Sequence, residues 1–117
     1  MQSQANITAI LVAYNSAGVI AEALQALIND PHIAEVIVVD NCSSDNSCEL
    51  ISSRFPVVTL IKSPKNEGFG RGNNMGLERV KTPYALLVNP DAVIEEGAIS
   101  LLLEAAHAWP QAAILAP

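Results

Sequence analysis

Residues 7–13 read ITAILVA, a continuous run of apolar and β-branched residues that contains one threonine. A run of this kind, in which polar residues do not alternate with apolar ones, predicts a strand that is covered on both faces, as in a parallel sheet. Three shorter runs of similar composition follow at residues 36–39, 57–61 and 84–88. We therefore expect four buried, parallel strands.

Helical patterns lie between these apolar runs. Apolar residues recur at helical spacing in residues 19–28 and again in residues 98–106, which predicts two helices that pack on the sheet. Asn46 and Glu49 have the spacing of a capping box, which predicts the start of another helix at this point.

The rest of the chain continues the alternation of strand and helix. A helix is expected from about residue 70 to residue 80, because Pro83 prevents its continuation. The apolar residues 112–115 are expected to form a short fifth strand. This order predicts an α/β fold with a doubly wound, mainly parallel sheet and helices on both faces.

Composition limits the number of domains and the classes of ligand. With 117 residues, of which 50% are hydrophobic, the chain can bury one core, so a single domain over residues 1–117 is expected. The formal charge of -6 argues against a binder of nucleic acid or anionic membrane, which needs an excess of Lys and Arg. All six basic residues fall between positions 54 and 81, where they could hold a small polyanion or form a solvated face.

Residues 1–21 carry no charged side chain, but they include several polar residues and have no basic start. We therefore expect neither a signal peptide nor a membrane span, and a cytoplasmic protein, either free or peripheral at the inner face of the membrane. The spacing of Cys42 and Cys48 matches neither a zinc site nor a redox pair, so two reduced thiols are expected.

Unusual residues follow the apolar runs. Ligands of doubly wound sheets bind beyond the carboxyl ends of the strands, so these positions form the candidate site. Asp40 is placed to accept hydrogen bonds from a base or a ribose, or else to cap the next helix. Residues 68–76 contain four glycines, which let backbone approach a ligand closely at a helix start. Asp91 could hold a divalent cation beside phosphates, or belong to a turn.

Four blocks of sequence occur in an order that resembles one enzyme family. They are V-A-Y-N at residues 12–15, V-V-D-N-x-S-x-D at 38–45, N-E-G-F-G-R-G-N-N-x-G at 66–76 and L-V-N-P-D-A at 87–92. Each block alone is modest evidence, but the succession resembles family 2 glycosyltransferases, and most of all their bacterial rhamnosyltransferase-type members.

The resemblance implies a Rossmann-like GT-A fold and inverting transfer of a sugar from a UDP- or dTDP-linked donor. It implies Mg²⁺ or Mn²⁺ as the cofactor, with Asp91 as the metal ligand in a variant of the D-x-D element. It also implies that the turn at residues 70–73 lies near the diphosphate and that the ends of the first two strands contact the nucleoside. The nucleotide-binding residues expected on this basis are Ala13, Tyr14, Asn15, Asp40, Gly70, Arg71, Asn73 and Asn89.

The chain departs from the family pattern in two ways. Asn89 occupies the place of the first acid of the D-x-D element, which leaves the Asp91 carboxylate for the cation. Family members also continue with acceptor-binding elements and an acid that serves as general base. Nothing after Asp91 matches this acid, so the catalytic base is unassigned and expected beyond residue 117. We expect a truncated domain: part of a transferase that acts on a glycan or lipid-linked acceptor, or a fragment that binds nucleotide without transfer.

Two other classes have a sheet of the same general kind. A nicotinamide-dependent dehydrogenase would have G-x-G-x-x-G after the first strand, where this chain has Y-N-S-A-G at residues 14–18. A phospho-acceptor signalling domain would have an acidic pair at the same place. A truncated sheet further predicts an exposed edge beside the fourth strand and a homo-oligomer formed through that edge.

Overall fold

The computed structural model describes residues 5–108, and strands alternate with helices throughout this part of the chain. The elements, in chain order, are β1 (Ile7–Ala13), α1 (Ile20–Ile28), β2 (Ile33–Asp40), α2 (Ser47–Arg54), β3 (Thr59–Lys62), α3 (Phe69–Leu77), β4 (Tyr84–Leu87) and α4 (Ala98–Ala108). All four predicted strands are present, with a predicted helix after each. The expectation that all four are buried was wrong for β3 and β4, which lie at the sheet edges and are only partly buried. The fifth strand expected at residues 112–115 lies outside the described residues.

The strands form one four-stranded parallel sheet in the order β3-β2-β1-β4. This is the beginning of the 3-2-1-4-5-6 order of Rossmann-type sheets, and it differs from the 2-1-3-4-5 order of phospho-acceptor signalling domains. The strand order therefore argues against the signalling alternative. Within residues 5–108, β3 and β4 form the two edges of the sheet. Association of two copies through the β4 edge stays a prediction.

Helices cover both faces of the sheet. One face packs against α1, α2 and α4, with buried side chains from Ala9, Leu11, Val36, Val38, Ile20, Leu24, Leu27, Ile51 and Ile99. The intervening positions of β1 and β2 point to the other face, where Ile10, Ile37 and Val39 pack with Met75 of α3. From β1 through β2 to β3 the chain moves across the sheet in one direction, and from β3 to β4 it moves back in the other. Because crossovers between parallel strands are right-handed, the helix of the return step, α3, lies on the face opposite to α1 and α2. The predicted fold class is confirmed.

Two glycines of α3 allow this helix to lie close to β1. A Cβ atom on Gly72 would lie 2.7 Å from Cγ1 of Val12, and one on Gly76 would lie 2.6 Å from Cγ2 of Ile10. Both distances are far below ordinary carbon–carbon contact, so any larger residue would force the helix away from the strand. Close packing of helix on sheet, rather than approach to a ligand, therefore explains Gly72 and Gly76.

The start of α2 differs from the predicted capping box. Asn46 is the N-cap residue, but its side chain makes no capping hydrogen bond. Asp45 takes that role, because its Oδ1 accepts the backbone N–H of Ser47 at 3.0 Å and also the Ser47 hydroxyl. The prediction was wrong about the side chain because an acidic oxygen one residue earlier binds the first amide of the helix, that of Ser47.

The helices are short. The predicted helix at residues 70–80 begins at Phe69 and ends at Leu77, and two turns closed by backbone bonds continue it to Val80. The 11 residues of α4 form the longest helix that is described. None of the helices described in residues 5–108 is long and apolar enough to cross a membrane.

Candidate functional site

The carboxyl ends of the strands meet at one edge of the sheet, which we call the carboxyl rim. It comprises the segments that follow β1, β2, β3 and β4, at residues 14–19, 41–46, 63–68 and 88–97. Ala13 pairs with Asp40 and Asp40 pairs with Lys62, so the first three strands end at the same level. Val88 donates its N–H to the carbonyl of Ile10 at 2.9 Å and brings β4 towards this level.

The strand order reverses between β1 and β4. In open α/β sheets, ligands bind beyond the carboxyl ends of the strands at such a point of reversal. The rim therefore brings together, at one edge, the loops that carry the predicted residues of the first, second and fourth strands. The start of α3 reaches the same edge through the loop that follows β3.

Asn15 ties the loop after β1 to the loop after β2. Its φ of 49° lies in the left-handed region, which Asn adopts more readily than most residues. Its side-chain Oδ1 accepts the N–H of Ser44 at 2.8 Å and that of Asp45 at 3.2 Å. Its own N–H donates to the hydroxyl of Ser43 at 2.9 Å. The side-chain oxygen of this predicted nucleotide-binding residue is thus engaged within the protein.

The two residues before Asn15 differ in exposure. Ala13 is fully buried, and its carbonyl accepts the N–H of Asn41 at 2.8 Å. Tyr14 is 51% exposed, and its N–H donates to the hydroxyl of Ser16 at 3.2 Å. Of the predicted residues at the end of β1, Tyr14 therefore presents the largest side-chain surface to a ligand.

Asp40 is almost completely buried at the end of β2. Its Oδ2 accepts the backbone N–H of Ser43 at 2.9 Å, and its Oδ1 accepts the Ser43 hydroxyl at 2.6 Å. Each oxygen of an ionised carboxylate can accept about two hydrogen bonds, so both retain acceptor capacity. Asp40 therefore shapes its own loop with part of its acceptor capacity, and its contact with a ligand stays a prediction.

Asp45 fastens the start of α2 to the loop after β1. Its carboxylate accepts the hydroxyl and the N–H of Ser47, and its Oδ2 accepts the N–H of Ala17 at 3.2 Å. The hydrogen bond from the Ser47 hydroxyl is the main cause that lowers the pKa of Asp45 below its ordinary value of 3.8, and partial desolvation opposes it. Asp45 is therefore held in its ionised form above that pH.

Cys48 lies on α2 close to Asp40. Burial is the main cause that raises the pKa of the Cys48 thiol to about 11, and a hydrogen bond to Asp40 adds to the effect. The thiol stays protonated at neutral pH, and such a thiol is a weak nucleophile and a weak metal ligand. Cys42 and Cys48 are both free thiols, which agrees with the prediction of two reduced thiols.

Asn41 is a rim residue that sequence reasoning missed. Only 2% of it is exposed, and its side chain reaches the loop before α3, where Nδ2 donates to the carbonyl of Gly68 at 2.9 Å. Its Oδ1 accepts the N–H of Glu67 at 3.2 Å. The sequence feature that could have indicated it is its place directly after Asp40 in the D-N-x-S-x-D block. A bond that spans 27 residues cannot be inferred from that local pattern.

The residues expected to form a turn near a diphosphate belong to the first turns of α3. Gly68, the N-cap residue, has a φ of 90°, and Gly70, Arg71 and Asn73 follow within the helix. Residues 70–73 thus lie in the first turns of the helix that was predicted to begin near residue 70, and their place near a diphosphate stays a prediction. Arg71 is exposed, and its guanidinium lies 3.5 Å from the carboxylate of Glu67, whereas Asn73 is buried.

The segment after β4 presents the predicted metal ligand. Asn89 and Asp91 are both exposed, and a turn is closed by the N–H of Ala92, which donates to the carbonyl of Asn89 at 3.0 Å. Within residues 5–108, no group of three or more His, Cys, Asp or Glu side chains could enclose a metal ion. One exposed carboxylate fits a cation such as Mg²⁺ that takes its other ligands from phosphate oxygens and water.

Two cavities in the described part of the chain lie away from the rim. One of about 150 Å³ is lined by residues such as Ile28, Glu35 and Val57 near the amino ends of β2 and β3. The other, of about 360 Å³, lies between the end of α1 and the approach to α4, beside Asp30 and Glu96. Neither includes a predicted site residue, so the candidate site is defined by the convergence of the rim loops.

Two relatives of known name are similar to this chain. The succinoglycan biosynthesis protein ExoO of Rhizobium meliloti is 30% identical over 105 residues, which are 88% of this chain and 30% of that protein. The N-acetylglucosaminyl-diphospho-decaprenol L-rhamnosyltransferase of Mycobacterium tuberculosis is 29% identical over 93 residues, which are 70% of this chain and 30% of that protein. The chain thus spans about a third of the length of these relatives.

Solved structures of similar fold confirm the architecture. S. aureus TarS in complex with UDP superposes with a TM-score of 0.76 at 22% identity, over 87% of this chain and 32% of that one. The mannosyltransferase PcManGT of Pyrobaculum calidifontis, in complex with GDP-Man and Mn²⁺, gives a TM-score of 0.74 at 22% identity, over 92% and 33% of the two chains. At this level of identity the likeness shows the fold, which is the GT-A type that the sequence implies.

The match to a family is more extensive than any of these pairwise similarities. Residues 8–117 match the pattern of Glycosyl transferase family 2, and this range includes the rim and every predicted site residue. The dehydrogenase and signalling alternatives are therefore rejected. The chain belongs to glycosyl transferase family 2.

Proposed function

We propose that this chain supplies the donor-nucleotide site of an inverting glycosyltransferase in polysaccharide biosynthesis. The donor is a UDP- or dTDP-linked sugar, and the acceptor is a glycan or a lipid-linked saccharide. The observation that carries the proposal is the convergence of Tyr14, Asp40, the start of α3 and Asp91 at one edge of the sheet in a family 2 chain. Similar structures hold UDP and GDP-Man, which supports a nucleoside-diphosphate ligand.

The ends of β1 and β2 form the nucleoside side of the proposed site. Asp40 retains acceptor capacity at the rim, and uracil and thymine both carry an imide N–H that can donate to a carboxylate. Tyr14, half exposed beside it, offers an aromatic surface on which a base or a ribose can pack. Because uracil and thymine share this edge, these contacts do not separate UDP from dTDP.

The segment after β4 forms the metal side of the proposed site. Asp91 would hold Mg²⁺ or Mn²⁺, with Asn89 beside it as a neutral ligand or as a donor to the diphosphate. When bound, the cation neutralises the charge that develops on the departing nucleoside diphosphate. Arg71, exposed on the first turn of α3, can add positive charge near the diphosphate once it leaves Glu67.

A second candidate function is nucleotide binding without transfer. It is the part of the proposal that the described residues address directly, since Tyr14, Asp40 and Asp91 would contact the nucleotide and its cation. No residue of the described part of the chain is assigned the role of general base for the acceptor hydroxyl. Transfer assays with UDP- and dTDP-linked sugars distinguish the two candidates, because only the first predicts turnover.

Calorimetry with UDP and dTDP, with and without Mn²⁺, tests the binding site. The wild-type chain should bind more tightly when the cation is present, and Asp91→Asn should lose about tenfold in affinity, or about 1.4 kcal/mol, only in its presence. Asn89→Asp, which restores the second acid, should increase the dependence on Mn²⁺. Glu78→Gln, at the exposed far end of α3, is the matched control and should bind like the wild type.

Two outcomes would contradict the proposal in different ways. A wild-type chain that binds neither nucleotide under either condition would overturn the donor site itself. Binding whose Mn²⁺ dependence survives in Asp91→Asn would retain the nucleotide site and remove the cation from Asp91.

A further inference from the structure

The side chain of Asn41 connects two loops of the rim from a buried position. It lies at the end of β2, where its backbone N–H donates to the carbonyl of Ala13 and continues the pairing with β1. Its side-chain amide points towards the loop before α3, donating from Nδ2 to Gly68 and accepting at Oδ1 from Glu67. One buried residue therefore joins the ends of β1 and β2 to the start of α3.

The loop that Asn41 holds has a demanding backbone conformation. Gly68 has a φ of 90°, a region that side chains with a Cβ rarely adopt. Its carbonyl accepts the N–H of Gly72, the first bond of α3, in addition to the bond from Asn41. Its N–H donates to Oδ1 of Asn66 at 2.9 Å. Of these hydrogen-bond partners of Gly68, Asn41 is the one that lies outside the loop and α3, directly after β2. Its bond therefore sets where α3 begins relative to β2.

The two bonds require an asparagine. The Gly68 carbonyl needs a donor and the Glu67 N–H needs an acceptor, and a carboxamide supplies both in one plane. An ionised aspartate of the same shape cannot donate and would set negative charge against the carbonyl. Alanine would remove both hydrogen bonds between the end of β2 and this partly exposed loop, so the loop would lose its tie to the buried Asn41 position.

We propose that Asn41 is a positioning residue that keeps the start of α3 in register with the nucleoside side of the rim, so that the first turn of α3 can receive a diphosphate. The inference rests on the proposed function, because it concerns the same ligand. Asn41 is adjacent to Asp40, so one short segment bears the nucleoside contact and holds the diphosphate contact at a fixed distance. Asn41 itself touches neither part of the ligand.

The first test measures the loop without any ligand. Hydrogen exchange of Asn41→Ala should show faster exchange at the N–H of Glu67, the amide that Asn41 holds, with unchanged exchange at Val38 inside β2. Thr59→Val is the matched control, since it removes one side-chain bond between β2 and β3, the 2.8 Å bond to Glu35, away from the rim. This variant should leave exchange at Glu67 unchanged.

The second test separates positioning from general loss of stability. Calorimetry should compare uridine with UDP for the wild type, Asn41→Ala and Thr59→Val. Asn41→Ala should lose about tenfold in affinity for UDP, equivalent to about 1.4 kcal/mol, and keep its affinity for uridine. Thr59→Val should keep the wild-type affinity for both ligands.

Each result decides a separate point. If Asn41→Ala loses the same affinity for uridine as for UDP, the role of Asn41 is merely structural and the inference is overturned. Unchanged affinity for both ligands would also overturn it. A wild-type chain that binds neither ligand would overturn the proposed function, and the exchange of Glu67 would then decide alone whether Asn41 holds the loop. Unchanged exchange at Glu67 in Asn41→Ala would overturn the inference whatever the ligands do.

Discussion

The rim segments after β1, β2 and β3 are joined to one another by side chains, whereas the described bonds of the segment after β4 are made by backbone atoms. Side-chain hydrogen bonds of Asn15 and Asp45 join the segments after β1 and β2. Those of Asn41 join the segments after β2 and β3. The segment that contains Asp91 has a turn closed by Ala92 and its exposed side chains face solvent. Side-chain hydrogen bonds thus tie the first part together without a ligand. On the proposed function, this difference separates a rigid nucleoside side from an adaptable metal side.

The largest effect on stability is expected at Asn15, because its side chain and its backbone both serve the joined part of the rim. Asn15→Ala removes the acceptor of the Ser44 and Asp45 amides and places alanine at a φ of 49°. We expect the free energy of unfolding to fall by about 2 kcal/mol, from lost hydrogen bonds and backbone strain together. Urea denaturation followed by circular dichroism measures this change.

Asn15→Gly separates the two causes. Glycine adopts the left-handed backbone without strain but lacks the side-chain oxygen, so it should cost about 1 kcal/mol. If both variants unfold like the wild type, Asn15 does not join the two loops and the contrast between the parts of the rim is lost.

The sequence allows the fold to be predicted more completely than the site. The apolar run of β1 and the helical periodicities are local, and burial on both faces of a parallel sheet leaves a direct mark on them. The side-chain oxygen of Asn15 accepts a hydrogen bond from Ser44, which is 29 residues away in the chain. The side-chain amide of Asn41 donates to Gly68, which is 27 residues away. Such pairs meet only through the register of neighbouring strands, which the local pattern of residues does not contain.

The same limit explains the interpretation of the glycines. Four glycines before and within α3 resemble a loop that approaches a ligand, and Gly68, with its φ of 90°, is compatible with that. Gly72 and Gly76 instead make room for Val12 and Ile10 of β1. A glycine needed for packing and a glycine needed for a ligand look alike in sequence, since both reflect the absence of a Cβ atom.

A smaller effect is expected at Asp45, and it depends on pH. The folded state lowers the pKa of Asp45, mainly through the hydrogen bond from Ser47, so its contribution to stability is present above the unfolded pKa of 3.8. The contribution is lost as the pH falls below 3.8 and the carboxylate is protonated in the folded chain as well. Carboxyl titration by NMR should show a pKa below 3.8 for Asp45 and a higher value in Ser47→Ala.

Stability measurements provide the matching check for Asp45. The difference in free energy of unfolding between wild type and Asp45→Asn should shrink as the pH falls below 3.8, since a protonated aspartate resembles asparagine. A difference that is the same at pH 7 and pH 2.5 would mean that the charge of Asp45 does not help to fasten α2 to the loop after β1.

The smallest effect on stability is expected at Asp91, in the segment after β4, whose described hydrogen bonds are made by backbone atoms. Its carboxylate is exposed, and the neighbouring turn is closed by backbone atoms of Asn89 and Ala92, so Asp91→Ala should change the free energy of unfolding by less than about 0.5 kcal/mol. Urea denaturation without nucleotide or cation gives this value. The same substitution should reduce the stabilisation that UDP and Mn²⁺ together provide, because a ligand that binds the folded state less tightly stabilises it less by mass action. A loss of 1 kcal/mol or more in the free chain would show that Asp91 supports the fold, and the functional contrast between the two parts of the rim would then need another explanation.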